Sequence, residues 1–160
     1  MGVWQLGGYG LHYDQTNPGL LSHYSEVLPG WQMADVIGSP YAITNYTCNS
    51  QLGLDQDILD LKQRVNKLGM KLGLDFVPNH SAVDCPFVTS NPEYYIRAPN
   101  GTNPPYNSNY YLPSGIAYGS ASGASGGAGW QDTAQFNCLL SSFSFFESFL
   151  TCLLEIGIQD

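Results

Sequence analysis

Charge is what this sequence has least of. Lysine and arginine total 5 in 160 residues, and charged side chains make up 11% of the chain, where a soluble globular domain usually has about a quarter. The acids outnumber the bases, giving a formal net charge of −8. Four of the five cations (Lys62, Arg64, Lys67 and Lys71) fall in one short stretch. Binding nucleic acid requires a basic face to neutralise phosphates, so that class of partner is excluded. The 4 cysteines (Cys48, Cys85, Cys138, Cys152) show no metal-ligand spacing, which excludes a zinc site of the usual kind. Free thiols and one or two disulfides both remain open. The opening "MGVWQLGGYG" has neither a basic n-region nor an apolar h-region, so it reads as no secretory signal. Met1-Gly2 begins like a myristoylation signal, but the residues after it do not complete the pattern.

What the chain does have is tyrosine, glycine and asparagine. Aromatic residues make up 13%, and 11 of them are Tyr. Low charge with many aromatic and amide side chains suits a neutral polar ligand, held by stacking and hydrogen bonds. Sequons for N-glycosylation occur at Asn45, Asn79 and Asn100, as chance allows in an asparagine-rich chain.

The clearest helix is expected over residues 54–68, where Leu54, Ile58, Leu61, Val65 and Leu68 repeat at helical spacing. Asp55 and Asp57 suit its first turn, Asp60 and Arg64 lie at i,i+4, and Gly69 is placed to end it. The run "MKLGLDFVP" follows at once and reads as a strand buried on both faces, which makes helix and strand half of a βαβ unit. Ligands sit at the carboxyl ends of such strands, where Asn79 and His80 fall. Asp75 is then a lone charge in a buried strand and calls for a partner. Residues 5–34 read as loop after a short strand tail at Val3-Trp4, with turn signals at Asn17-Pro18-Gly19 and Pro29-Gly30. Residues 35–48 read as loop with extended pieces. Residues 81–130 are too long and irregular for a simple connection. The apolar run 138–154 is short for a membrane span and contains Glu147, so a membrane role is not expected.

Three motifs in order resemble the α-amylase superfamily of glycoside hydrolases. "LGLDFVPNHS" resembles that family's third-strand motif. "SPYAITNYT" resembles its loop after the second strand, and "GWQDTAQFN" the segment before its fourth strand. The resemblance covers residues 2–137. It implies an α/β fold: a partial (β/α)8 TIM barrel running from the end of strand 2 through strand 3. Residues 2–80 would form the barrel part and residues 81–137 an inserted subdomain, with 138–160 an apolar tail outside the pattern. It also implies action on α-glucosidic linkages, by hydrolysis or transfer, with an α-glucan or maltooligosaccharide as partner.

The resemblance assigns roles residue by residue. Tyr41 matches a tyrosine that stacks on the sugar, and His80 a histidine that hydrogen-bonds it. Asp75 matches an acid that supports the site from behind. Asn79 matches an asparagine that in many members ligates calcium. The family's further calcium ligand, an aspartate, falls nearer Gln135 than Asp132. Taken singly, a loop tyrosine, a histidine or an asparagine is more often packing or a turn cap than a ligand contact. A retaining glycosidase needs two carboxylates flanking the scissile bond, and the family carries them on later strands. No residue of this chain matches either, so no catalytic residue is assigned, and the chain is expected to be an inactive N-terminal fragment. The alternative is a non-catalytic carbohydrate-binding or regulatory protein that keeps the sugar-contacting loop.

Overall fold

The computed structural model describes residues 2–99, 109–120 and 129–138. Trp4–Leu6 (β1) pairs antiparallel with Ile43–Cys48 (β2), in a register that sets Trp4 opposite Cys48 and Leu6 opposite Ile43. Between them run two helices, Gly8–Thr16 (α1) and Pro18–Val27 (α2). The helix Asp55–Lys67 (α3) follows β2. His80–Ala82 (β3), a short helix at Pro86–Ser90 (α4), Tyr118–Gly119 (β4) and Trp130–Gln135 (β5) complete the described elements. The last three strands form a second antiparallel sheet in the order β3-β5-β4, with His80 opposite Gln135. The chain is thus mixed α and β, and no closed barrel forms among the described residues.

One buried cluster joins the two sheets. It holds Trp4, Ile43, Tyr46 and Ile58 on one side, and Tyr95, Ile116, Ala134 and Phe136 on the other. Trp4 meets Tyr46 edge to face with ring centroids 5.1 Å apart, and Tyr95 stacks on Phe136 at 4.9 Å. Both are favoured aromatic geometries.

The helix α3 forms as its spacing predicts. The Asp57 carboxylate accepts from the Leu54 N–H at 2.7 Å, and Gly69 ends the helix at φ +74°, a conformation that favours glycine. Asp60 accepts from Gln56 Nε2 at 2.8 Å rather than pairing with Arg64. The apolar stripe is only partly covered: Ile58 is buried, while Leu54, Leu61 and Leu68 are exposed.

Three expectations are corrected. Residues 8–27 are helical, not loop. Asn17-Pro18-Gly19, read as a turn, starts α2: the Asn17 carbonyl oxygen Oδ1 accepts from the N–H groups of Gly19 and Leu20, and Pro18 takes the first helical position. Helix α1 carries no apolar stripe and buries only Gly10, while α2 spaces Leu20, Tyr24 and Val27 at helical intervals yet buries none of them. Second, residues 70–78 form no strand, and both sheets are antiparallel rather than parallel. Third, Asp75 is exposed. Leu72, Leu74 and Val77 turn toward the core while Met70 and Phe76 face outward. Only one side of the run is covered, and Asp75 stands on the other.

Side chains hold this run in place of a strand ladder. Trp4 Nε1 donates to the Asp75 carbonyl at 2.7 Å. The Tyr46 hydroxyl accepts from the Val77 N–H at 2.9 Å and donates to the Val77 carbonyl at 3.3 Å. Burial, with a contribution from the nearby Asp75 charge, pushes the Tyr46 pKa up to about 12, so the hydroxyl keeps its proton. A Tyr46→Phe variant keeps the ring and removes both bonds to Val77. It is expected to lose about 1–2 kcal/mol, the usual cost of a partly buried N–H left without its partner. Urea denaturation measures this, and a loss of less than about 0.3 kcal/mol would contradict the assigned role.

Candidate functional site

The site lies where the extended run meets the second sheet. Val77 is fixed by Tyr46, Pro78 follows, and Asn79 and His80 enter β3. Opposite them, β5 brings Gln135, Asp132 and Trp130. From the other direction, the loop before β2 brings Tyr41, whose side chain is 61% exposed. A cavity of about 460 Å³ lies beside Tyr41 and is also lined by Asp75, Leu6, Leu74, Asn49 and Gln51.

His80 is buried, at 8% exposure. Its Nδ1 lies 3.0 Å from Asn79 Nδ2. Its Nε2 is buried and has no hydrogen-bond partner. The Tyr41 carbonyl lies near enough to raise the ring's pKa as a hydrogen-bond acceptor does, although no bond to Nε2 has ordinary geometry. Burial lowers the His80 pKa, while the Asp132 carboxylate and the Tyr41 carbonyl pull the other way. The ring is therefore held toward its neutral form. The Trp130 indole, 45% exposed, meets the imidazole edge to face at 5.4 Å.

Asn79 is bound to Gln135. Gln135 Nε2 donates to the Asn79 backbone oxygen at 2.8 Å and to its Oδ1 at 2.9 Å. The Ser120 N–H donates to Gln135 Oε1 at 3.1 Å. That backbone donor, with the backbone acceptor on Asn79, fixes which end of the Gln135 amide is nitrogen. Calcium takes six to eight oxygen ligands. Here an N–H donor occupies the place between the two Asn79 oxygens, so the residues present do not fit a cation at that point. Among the described residues no group of three His, Cys, Asp or Glu side chains is arranged to hold a metal.

The structure therefore brings His80 and Asn79 together and sets the Tyr41 carbonyl near the imidazole, while the Tyr41 side chain lines a cavity with Asp75 that includes neither His80 nor Asn79. Asp75 makes no ion pair there, and its carboxylate acts on Tyr46. Sequence reading missed Trp130 and Gln135 as members of the site. It also missed Asp84, whose carboxylate accepts from the N–H groups of Gly8 and Tyr9 at 2.7 and 3.2 Å and so starts α1 from the turn after β3. This junction needs glycine: a Cβ on Gly7 would lie 2.5 Å from Asp84 Oδ1 and 2.7 Å from the Ala82 methyl. The signal for these contacts is absent from any local window, since the partners lie more than fifty residues apart. Cys48, Cys85 and Cys138 are free thiols. Cys152, Glu147 and most of the apolar tail lie outside the described residues, as does Asn100. No described helix is long and apolar enough to cross a membrane.

The fold is similar to part of an α-amylase. A crystal structure of an α-amylase from Lactobacillus plantarum matches with a TM-score of 0.58 at 20% identity, over 96% of this chain and 26% of that one. The chain thus spans about a quarter of that enzyme's length, and the likeness concerns the fold. No family profile matches the sequence, and no curated protein matches it.

The Asn79–Gln135 bond carries a direct expectation. A metal present at about one hundred times its Kd adds about 2.7 kcal/mol to stability, which raises the melting temperature of a domain this size by about 5–10 °C. Neither millimolar calcium nor a chelator is expected to move the melting temperature of this chain. A saturable rise with calcium, absent with magnesium, would contradict this expectation.

Proposed function

We propose that this chain carries part of the sugar-binding face of an α-amylase-like glycoside hydrolase. It engages an α-glucan or maltooligosaccharide through Tyr41 and His80 and does not cleave it. The observation that carries this reading is His80: a buried imidazole held toward its neutral form, with no hydrogen-bond partner of ordinary geometry at Nε2, the Tyr41 carbonyl near the ring and the Tyr41 side chain exposed. A buried N–H without an acceptor costs about 1–3 kcal/mol, and a sugar hydroxyl would recover that energy. Aromatic rings at the rim suit the apolar faces of a pyranose. Because Nε2 is buried in the free chain, ligand entry requires a neighbouring group to move off it. The fold likeness to an α-amylase supports the same class of ligand.

Turnover is not proposed. No residue matches the two carboxylates of the family's mechanism, and the acids of this chain that lie near the site have other work: Asp84 starts α1, and the Asp132 charge acts on His80. The support role of Asp75 is reduced accordingly to shaping the Tyr41 cavity. Calcium has no place in this reading.

Titration calorimetry with maltohexaose tests it. Saturable binding is expected, weakened about tenfold or more by Tyr41→Ala and by His80→Ala, each removing roughly 1.4 kcal/mol, with no release of reducing sugar from starch. Failure of both variants to change the affinity would reject Tyr41 and His80 as the contacts. Measurable turnover would reject the non-catalytic part.

A further inference from the structure

The bonds around Asn79 form a directed relay that ends on His80. It starts at a backbone donor whose direction cannot reverse. The Ser120 N–H points at Gln135 Oε1 at 3.1 Å, which leaves Nε2 as the other end of that amide. Nε2 donates at 2.8 Å to the Asn79 backbone carbonyl, which can only accept, and at 2.9 Å to Asn79 Oδ1. With Oδ1 taken as an acceptor, the other end of the Asn79 side chain is its NH2 group, which also donates to Gln135 Oε1 at 3.4 Å. Asn79 Nδ2 stands 3.0 Å from His80 Nδ1. A donor facing Nδ1 requires a lone pair there, and in a neutral imidazole the proton then resides on Nε2.

We propose that Gln135 is a positioning residue for His80: its amide, aimed by the Ser120 N–H, turns Asn79 so that His80 carries its proton on Nε2 and presents that atom as a donor. The geometry explains two otherwise unrelated features. Gln135 is a polar side chain at 4% exposure in the middle of a sheet, where an unpaired amide would be costly. His80 Nε2 is left without a partner, although the acidic surroundings on Asp132 would suit a charged ring. The relay commits the ring to one neutral tautomer with Nε2 as its donor, and so to a ligand that offers an acceptor oxygen rather than an N–H. What the donor is used for rests on the reading of His80 as a sugar contact. The tautomer itself does not.

Long-range ring ¹H–¹⁵N correlation spectra of the uniformly labelled, ligand-free chain read the tautomer directly. The expected wild-type ratio is about tenfold or more in favour of Nε2–H, the bias that one net hydrogen bond supplies. In Asn79→Asp both side-chain oxygens accept, one from Gln135 Nε2 and one from the ring, so His80 is expected to carry a proton on Nδ1. In Gln135→Glu a carboxylate faces the two Asn79 oxygens; Asn79 is expected to turn over and expose Oδ1 to the ring, again protonating Nδ1. An Nδ1–H tautomer in the wild-type chain overturns the proposal whether or not either variant folds. So does an unchanged ring in a folded Gln135→Glu variant. Loss of sugar affinity with the predicted tautomers intact would reject the sugar reading alone.

Discussion

The position of residues 72–80 governs everything at this site, and that position depends on side chains rather than on a strand ladder. Trp4 from β1 and Tyr46 from β2 reach across the core and bond the backbone at Asp75 and Val77. Both rings are almost fully buried, so the anchors are part of the core itself. An anchor made of two aromatic side chains has few rotatable bonds and loses little entropy on folding. The run is thereby delivered to Asn79, the residue that leads directly into β3 of the second sheet.

From there polar bonds take over. Gln135 ties Asn79 to β5, and through Ser120 to the end of β4. The junction between the two sheets is closed by neutral amides where a cation would need oxygens on all sides. A fully paired buried network specifies one arrangement, since breaking any member leaves another unsatisfied. The result is a histidine whose orientation, charge and proton are all constrained, set near the Tyr41 carbonyl and a half-exposed tryptophan. The chain's low charge, five cations among 160 residues, fits this economy: the site is built from amides, hydroxyls and rings.

Part of this was legible in the sequence. The stripe and the closing glycine of α3 are local, and both appear where the spacing places them. The motif order around Tyr41 and His80 resembles a family whose fold the chain does approach. The rest depends on distant partners. Helix α1 shows no periodicity, and the short stripe of α2 (Leu20, Tyr24, Val27) is masked by the turn signals at its start; the two starts are fixed by Asp84 and by the Asn17 cap. The apolar run with Asp75 has the composition of a two-sided buried strand, yet one side is exposed and the acid sits there. Gln135 looked like a departure from a metal ligand. Its meaning emerges only once β5 lies antiparallel to β3 and the amide faces Asn79.

The central claim is that His80 Nε2 is a donor held ready for a neutral, oxygen-rich ligand. A crystal structure of the chain grown with maltohexaose tests it most directly. The account predicts a glucosyl unit with a hydroxyl oxygen within hydrogen-bond distance of His80 Nε2 and its ring against Tyr41. Sugar bound elsewhere, with His80 still covered and unpartnered, would contradict it.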